Sequence, residues 1–390
     1  MKLSALGQLF RKNLQTYIII ILLVVIWGVF SIVTQGGFLS SQNISNLFRQ
    51  MTVTSFLAAG MVLVMVIGGI DLSVGKLAGF VSVVVALFQR DIWITIIPDQ
   101  PILAAVLSVI VGLITGALFG VFQAYIIAYL RVPAFIVTLG GQFIMNGGIL
   151  LVTQGKTIAA NQPGFSAIGQ GYLDRTPGWF LAGAVIVILF LLMFRDRRNK
   201  VRYGFQAKPI YQDILKTSFF SMLVLLYVYI VNQYNGIPNP VLILAITVVI
   251  VSYISTNTRF GRYAYALGGN REAARLSGIN IKKQTFLIFV LMGLLCGVGG
   301  VVLASYVGYG TISAGAGYEL DAIASCVLGG TSTLGGSGTI FGAMVGALIM
   351  TSLNTGLQMM NVAPAWQYVL RGAVLVLAVI IDVYFKKNKS

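Results

Sequence analysis

Long apolar segments follow one another along almost the whole chain, and they constrain the fold more than any other feature. Of the 390 residues, 57% are hydrophobic and only 9% are charged. A soluble domain of this length could not bury so much apolar surface. The sequence therefore predicts a polytopic membrane protein.

We distinguish twelve apolar segments, and most approach the ~20 residues that a helix needs to cross the hydrocarbon core. They predict an all-α, polytopic helical membrane protein with about 10 to 12 true spans, some of them broken or half helices. No linker divides the chain, so residues 1–390 are expected to form one transmembrane domain. The segments are 17–34, 51–69, 72–88, 102–130, 133–152, 179–194, 217–234, 240–256, 284–306, 318–333, 338–355 and 366–385.

The basic residues predict the orientation of these segments. Of the 26 lysines and arginines, 19 fall in Lys2–Lys12, Arg195–Lys216, Arg259–Lys283 and Lys386–Lys389. Cytoplasmic loops carry such an excess of positive charge. Alternating spans from a cytoplasmic N-terminus place all four segments, and the C-terminus, in the cytoplasm. The first apolar segment has no cleavage site and reads as a retained signal anchor. The net charge of +16 is thus explained without a nucleic-acid partner.

Several classes of chemistry lack their residues. The chain has no histidine and ten scattered acidic residues, so it offers neither the commonest general base nor a cluster that could hold a metal ion. These absences argue against an enzyme. The two cysteines, Cys296 and Cys326, lie in apolar runs and are expected to be buried as small hydrophobic residues.

The basic stretch from Asn257 to Asn280 is the most informative polar part of the sequence. Within it, residues 271–277 are expected to form a helix that Asn270 caps at its start and Gly278 ends in a left-handed conformation. A helix of roughly 10 Å is too short to be stable alone, so it must dock on something. This indicates a contact surface for a soluble partner.

Two apolar segments are interrupted by glycine in similar ways, at 66–75 and at 327–336. When Gly68-Gly69 is aligned with Gly329-Gly330, a further glycine follows at the same spacing in both. Interrupted spans in two halves of a chain are typical of broken helices that line a transport pathway. Asp71 could contact a passing hydroxylated solute, or cap the next helix with Ser73 as the rival cap.

Other polar residues within the apolar segments have structural interpretations beside functional ones. Thr138, Gln142 and Asn146 share one helical face, which could line the pathway or join helices through hydrogen bonds. Arg371 lies near the start of its segment and is expected to extend toward the interface without a buried partner. The glycines 112, 116 and 120, and likewise 342 and 346, are expected to allow close packing inside the protein. The longest outer loop, 153–178, is either a docking surface or a tether.

Several motifs together resemble the permease subunits of bacterial monosaccharide ABC importers. They are Gly68–Ser73 (GGIDLS), Gly261–Asn270 (GRYAYALGGN), Ala274–Ile279 (ARLSGI), Gly317–Ala324 (GYELDAIA) and Val327–Ser332 (VLGGTS). The resemblance extends from about Phe38 to Asp382. Three segments between the long outer loop and the basic stretch, where ribose-type members have one, make the chain more similar to the longer xylose or multiple-monosaccharide permeases.

The resemblance implies a homodimeric pore in the bacterial inner membrane. A cytoplasmic ATP-binding subunit would power transport and an extracytoplasmic sugar-binding protein would deliver the sugar, so the chain itself needs no cofactor. No Walker A sequence occurs in it, which agrees with ATP binding by the partner. The loop 259–283 would couple to the ATPase. The coupling residues are Arg259, Gly261, Arg262, Gly268, Gly269, Asn270, Arg271, Glu272, Ala273, Ala274, Arg275, Leu276 and Gly278.

The translocation pathway is expected to include backbone and side-chain groups at both glycine breaks and on the segment after Pro133. The alternative function is an ion-coupled secondary transporter of small neutral solutes, in which only Asp71, Glu319 and Asp321 could serve as intramembrane carboxylates. A membrane-embedded sugar-transferring enzyme ranks last, for want of paired acids. The candidate pathway residues are Gly68, Gly69, Asp71, Ser73, Thr138, Gln142, Asn146, Gly329 and Gly330.

Overall fold

Fifteen helices account for most of the computed structural model, which describes residues 14–205 and 209–387. The helix α3 contains a π-helical segment at Phe88–Trp93. The helices are α1 Leu14–Val33, α2 Ser41–Val66, α3 Val74–Ile96, α4 Pro101–Ala128, α5 Ala134–Thr153, α6 Pro163–Gln170, α7 Arg175–Arg202, α8 Ile210–Asn232, α9 Asn239–Asn257, α10 Arg259–Gly269, α11 Arg271–Leu276, α12 Ile281–Val307, α13 Tyr318–Leu328, α14 Ile340–Met359 and α15 Pro364–Lys387.

Four two-residue strands connect loops at one end of the helices. They are β1 Ile158–Ala159, β2 Tyr172–Leu173, β3 Ile237–Pro238 and β4 Tyr309–Gly310. Strand β1 pairs antiparallel with β4, and β2 pairs antiparallel with β3. The loop predicted at 153–178 therefore contains the helix α6 and two short strands.

Nine of the described helices are long and apolar enough to cross a membrane. Two further helices, α1 and α15, contribute the shorter apolar stretches Ile19–Val33 and Pro364–Ile380. The prediction of a polytopic helical membrane protein is confirmed. The predicted segment 318–333 is not a full helix, because α13 has 11 residues and a rise of 1.5 Å per residue makes it roughly 16 Å long. It is a half helix followed by a glycine-rich loop.

The described parts of the basic segments Arg195–Lys216 and Arg259–Lys283 lie at one end of the bundle, whereas Lys2–Lys12 and the end of Lys386–Lys389 lie outside the described residues. Helices α7 and α9 begin directly after the paired strands β2 and β3 and therefore run in the same direction. The arginines at the end of α7 and the helices α10 and α11, which follow α9, consequently lie at the same end, which we call the basic end. The start of α14 is also there, because Tyr265 on α10 donates to the carbonyl of Gly338 at 2.8 Å. The strands mark the opposite end.

The core is organised around α12, which packs against α4, α3 and α2. Close approach of α12 to α4 depends on glycine. A side chain at Gly116 would collide with the carbonyl oxygen of Gly293, and one at Gly112 would collide with Val301. Likewise a side chain at Gly346 would collide with the Ser325 carbonyl. The prediction that these glycines serve internal packing is confirmed.

The hairpin of α7 and α8 lies at the periphery. Few of its residues are buried, and an ion pair between Arg197 and Asp213 joins the two helices at 3.1 Å. The interior, by contrast, contains both cysteines. Cys296 and Cys326 are free and have no exposed surface, as the sequence predicted.

Candidate functional site

The short helix α11 begins and ends as the sequence predicted. The side-chain oxygen of Asn270 accepts a hydrogen bond from the N–H of Ala273 at 2.9 Å. Gly278 has a φ of 81°, and the N–H of Ile279 then donates to the carbonyl of Ala274 at 3.1 Å. This left-handed ending suits glycine because it has no Cβ. The helix ends at Leu276, one residue before the predicted 277.

The sides of α11 face different surroundings. Ala274 is buried, whereas Ala273 is exposed and Leu276 is 78% exposed. These three predicted coupling residues do not form one apolar face, because residues two apart on a helix, such as Ala274 and Leu276, point roughly 160° away from each other. Ala274 packs inward, while Leu276 and Ala273 present an apolar surface to solvent. The charged residues Arg271, Glu272 and Arg275 line a cavity described below.

Two glycines of the preceding helix α10, Gly261 and Gly268, are packed too closely against neighbouring backbone for a side chain to fit. Thr258 caps its start, accepting from the N–H of Gly261 at 3.4 Å. A Cβ at Gly261 would collide with the Ser255 carbonyl at the end of α9. Gly269, in contrast, has nothing within 4 Å of a Cβ. The predicted coupling residues Arg259 and Arg262 are exposed on this helix.

Gly268 brings the two glycine breaks together. A Cβ on Gly268 would collide with the carbonyl oxygen of Val66, the last residue of α2, and would come within 2.7 Å of the N–H nitrogen of Gly336. Gly336 in turn donates to that same Val66 carbonyl at 2.8 Å. The end of α10 therefore touches both interruptions at a point where only backbone fits.

Side chains stabilise the first break. Gly68 adopts a φ of 80° and turns the chain away from α2. Asp71 Oδ1 then accepts from the N–H of Ser73 at 2.8 Å and from its hydroxyl at 2.6 Å. The hydroxyl of Ser73 also lies 3.0 Å from the Gln123 amide nitrogen. Asp71 is 2% exposed and Ser73 has no exposed surface, so this polar cluster is internal.

Of the two roles left open for Asp71, capping of α3 is not observed. The N-cap of α3 is Ser73, whose own side chain makes no capping hydrogen bond. Asp71 instead bonds the backbone and side chain two residues later, the local pattern by which Asp stabilises turns. It fixes the loop before the helix and leaves the first turn of α3 uncapped by either predicted residue.

At the second break the helix also ends at a glycine with a positive φ. This glycine is the second of its pair, whereas at the first break it is the first of its pair. Gly330 has a φ of 87°, whereas Gly329 has a φ of −72°. The structural counterpart of Gly68 is thus Gly330. Gly329 is required for a different reason, since a Cβ there would collide with the backbone of Gly342 on α14. The spacing match to Gly75 and Gly336 has no structural equivalent, because Gly75 lies within α3.

Two of the three predicted polar residues on α5 connect the break to α13. The hydroxyl of Thr138 accepts from the N–H of Leu72 at 3.2 Å. One turn further, the Gln142 amide donates to Glu319 Oε1 on α13 at 3.2 Å. Asn146 is half-buried and makes no such hydrogen bond to another described residue. Thr138 and Gln142 thus act as polar contacts between helices, one of the two interpretations left open by the sequence.

The N-terminus of α13 lies inside the bundle. The chain before it starts at the end marked by the strands and runs along α3 toward the basic end, with Gly310 against Val83 and Gly315 against Gly75. Glu319 and Asp321 then occupy the first turn of α13, where the positive end of the helix dipole favours carboxylates. This is the geometry of a half helix that starts at membrane depth.

Two cations near these carboxylates were missed or misassigned from sequence. Lys76, on the first turn of α3, lies within electrostatic range of Glu319. The signal was a lysine inside an otherwise apolar run. Arg371 was expected to have no buried partner, and this is wrong. Its guanidinium lies 3.6 Å from Asp321 and donates to Asn354 at 2.7 Å, because Asp321 would otherwise be a buried charge without a partner.

The polar residues Asp71, Ser73, Thr138 and Gln142 form a layer between the two ends of the bundle, and one cavity approaches this polar layer from each end. The opposite-end cavity, of about 480 Å³, is lined by polar groups that include Asp321, Asn354 and Arg371. The basic-end cavity, of about 750 Å³, extends from α11 to Gly68 and Gly69. The predicted pathway residues are therefore divided: two line the basic-end cavity, while Asp71, Ser73, Thr138 and Gln142 lie in the layer between. Gly329 packs against α14.

Comparison with known proteins agrees with this architecture. Residues 43–379 match the family described as the branched-chain amino acid transport system / permease component. No solved structure matches the chain.

Individual relatives are sugar transport permeases. The xylose transport system permease protein of Haemophilus influenzae is 40% identical over 96% of this chain and 98% of its own. The ribose import permease protein of Escherichia coli is 32% identical over 89% and 87%, and the galactose/methyl galactoside import permease protein of the same species is 30% identical over 97% and 98%. These matches give no support to the ion-coupled alternative. The chain belongs to this permease family, and within it to the permeases of monosaccharide ABC importers.

Proposed function

We propose that this protein is the membrane-spanning permease subunit of an ATP-driven monosaccharide importer in the bacterial inner membrane. The similarity to the xylose transport system permease over nearly the whole of both chains supports xylose or a related sugar as substrate. The sugar-binding partner outside the membrane and the ATPase inside it would be separate subunits. A second copy of this chain would complete the pore.

The orientation follows from the distribution of charge. The arginines that end α7 and the cations of α10, α11 and the start of α12 lie at the basic end. Cytoplasmic surfaces carry such an excess of lysine and arginine. The basic end therefore faces the cytoplasm, and the opposite-end cavity receives sugar from outside.

The contact of Gly268 with both breaks is the observation that carries the proposal. Force applied to α11 passes to α10, and the end of α10 lies directly against the Val66 carbonyl and Gly336. A displacement of α10 must therefore move one or both glycine breaks, because backbone packed at this distance cannot give way through a side chain. The ATPase would change the pathway through this junction.

The exposed side of α11 supplies the surface on which the ATPase would dock. Leu276 is 78% exposed at an end of the protein where the bilayer does not cover apolar groups. An exposed leucine flanked by charges is typical of an interface residue. Arg271, Glu272 and Arg275, which are also predicted coupling residues, are exposed beside it and line the basic-end cavity.

The polar lining of the opposite-end cavity fits an uncharged sugar. Amides and hydroxyls such as Gln50, Thr54 and Asn354 can exchange hydrogen bonds with sugar hydroxyls, while the charges of Asp321 and Arg371 neutralise each other. From there the layer containing Gln142, Thr138 and Asp71 leads to the basic-end cavity. We propose that this layer separates the two sides between transport cycles.

The test uses the reconstituted importer, with the permease, its ATPase and its binding protein in vesicles. Leu276→Asp places a charge on the proposed docking surface and is expected to lower sugar-stimulated ATP hydrolysis about tenfold or more. Tyr203→Asp is the matched control, because Tyr203 is also exposed at the basic end but lies on the peripheral α7–α8 hairpin. Equal activity of the two variants would contradict docking through α11. Sugar uptake by vesicles that lack the ATPase would contradict the proposed function itself.

A further inference from the structure

The basic-end cavity has a charge that sugar transport does not require. Four cationic side chains line it, and a single carboxylate, that of Glu272, stands among them. The four side chains are exposed. A cytoplasmic surface is expected to be basic, but a neutral sugar gains nothing from cations gathered in one cavity. The cations are Arg131, Arg271, Arg275 and Lys282.

Only one of these cations is neutralised within the described part of the chain. Arg275 donates from Nε to Glu272 Oε2 at 3.1 Å, and this pair uses up the carboxylate. For the side chains of Arg131, Arg271 and Lys282, no hydrogen bond or ion pair forms with any residue in 14–205 or 209–387. Three positive charges therefore face the cavity without a partner from the described protein.

Two long helices add to this field. Helix α12 starts in the cavity wall at Ile281 and Lys282, and α5 starts there at Ala134. The N-cap of α12 is Asn280, whose side-chain oxygen accepts from the N–H of Lys283 at 3.0 Å. The N-cap of α5 is Pro133, which makes no side-chain capping bond. The first N–H groups of a helix have no partner within it, and they give its N-terminus a partial positive charge. These helix ends reinforce the cationic side chains.

The conformation of Arg131 indicates that its side chain is used. Arg131 has a φ of 60° in the turn between α4 and α5, a left-handed conformation that is unfavourable for an ordinary residue with a side chain. Glycine would make the same turn without that cost. An arginine held there places a guanidinium in the cavity at the expense of backbone stability, as happens at functional sites.

We propose that the basic-end cavity binds a ligand carrying a phosphate group. Arginine recognises phosphate through several parallel N–H donors, and helix N-termini bind the same group. The volume lies within the ~300–1,000 Å³ usual for ligand sites. Beyond the cations the wall becomes apolar at Ile67, Ile127 and Phe289, which leaves room for the carbon part of a soluble sugar phosphate or of a phospholipid headgroup.

A bound phosphate would lie between α11 and the first glycine break, since both line this cavity. Its binding depends on the permease alone and not on transport. A negative binding result would therefore leave the proposed function unchanged.

The experiment measures binding to the full-length permease in nanodiscs of phosphatidylcholine, whose headgroup has no net charge. A pentose 5-phosphate is titrated calorimetrically, with the unphosphorylated pentose as control ligand. We expect saturable binding of the phosphate alone. Arg131→Asn combined with Lys282→Gln is expected to weaken it about tenfold or more, since two charge-assisted hydrogen bonds to the phosphate are lost. Asparagine accepts the left-handed conformation, so the turn is retained.

Lys283→Gln is the matched control. Lys283 is the neighbouring exposed lysine on the first turn of α12 but does not line the cavity, so its loss is expected to change the dissociation constant less than twofold. A similar loss in this variant would indicate general surface charge and would overturn the assignment to the cavity.

A second arm distinguishes the two sources of phosphate. The permease is prepared in nanodiscs that also contain phosphatidylglycerol, and retained lipids are counted by native mass spectrometry. A phosphatidylglycerol that is lost in the double variant and kept in Lys283→Gln identifies a lipid headgroup as the ligand. Absence of both lipid retention and sugar-phosphate binding would overturn the proposal. So would a double variant that loses only its association with the ATPase, because the cations would then serve acidic groups of that subunit.

Discussion

The two glycine breaks have similar sequences but are stabilised in different ways. After Gly68 the chain is fixed by side chains, with Asp71, Ser73 and Gln123 joined in a buried cluster. After Gly330 the hydrogen bonds include two backbone pairs, beside a bond in which the Ser332 hydroxyl accepts from the N–H of Leu334 at 3.1 Å. The N–H of Ser332 donates to the Ser337 carbonyl at 2.8 Å, and the N–H of Gly336 donates to Val66 at the same distance.

This difference assigns the two breaks different mechanical roles. A side-chain cluster with several mutual hydrogen bonds resists distortion, because moving one group leaves the others without partners. A loop of glycines in left-handed conformations, such as Gly335 and Gly336, can change its dihedral angles at less cost. We therefore expect the first break to resist displacement and the second to move with α10.

The largest effect is expected where the breaks meet. Gly268→Val would drive a branched side chain into the backbone of both, and overpacking of this kind costs ~1–3 kcal/mol or more. We expect a lower midpoint of thermal unfolding in detergent and the loss of sugar-stimulated ATP hydrolysis. Gly269→Ala is the control, because a Cβ there has nothing within 4 Å. If both variants behaved like the wild type, the junction would not transmit force.

A matched pair of hydroxyl deletions tests the difference between side-chain and backbone stabilisation. Ser73→Ala removes a buried hydroxyl that bonds Asp71 and Gln123, and leaving such groups unsatisfied costs ~1–3 kcal/mol. Thr331→Val removes a hydroxyl that is equally buried but has no hydrogen-bond partner in the described chain. Its effect is expected to be near zero or slightly stabilising. Chemical unfolding in detergent, followed by tryptophan fluorescence, compares them.

The smallest expected effect tests which glycine of each pair adopts the left-handed conformation. At Gly68 and Gly330, asparagine is expected to be tolerated better than alanine by a few tenths of a kcal/mol, because asparagine adopts the left-handed conformation more readily. At Gly329, whose φ is −72°, asparagine should have no such advantage. The measurement is the unfolding midpoint of the six variants. An advantage of asparagine at Gly329 would restore the register suggested by the paired glycines.

Local signals in the sequence were sufficient for the elements that depend on nearby residues. The caps of α11 follow from Asn270 and Gly278, since both act within one helical turn. The apolar segments follow from composition, and the packing role of Gly116 follows from its spacing to Gly112 and Gly120. In each case the physical cause lies within a few residues of its effect.

Contacts between distant parts of the chain could not be read in this way. The partner of Arg371 is Asp321, fifty residues earlier, and nothing local indicates that pairing. The contact of Gly268 with Val66 joins segments separated by about two hundred residues. The shifted register of the second break is likewise not visible in the sequence, since Gly329 packs against Gly342 with a φ of −72° and Gly330 adopts the left-handed conformation. Lys76, in contrast, could have been identified as a candidate site residue from sequence, because it is a lysine inside an apolar segment.

The burial of Cys296 and Cys326 makes the wild-type chain suitable for site-directed spectroscopy. A thiol reacts with maleimide or methanethiosulfonate reagents only when it is accessible as the thiolate. A single cysteine introduced on the exposed side of α11 would therefore carry the only spin label or fluorophore without prior removal of native thiols. Distances between two such labels in an assembled transporter would report the displacement of α11 during the ATP cycle.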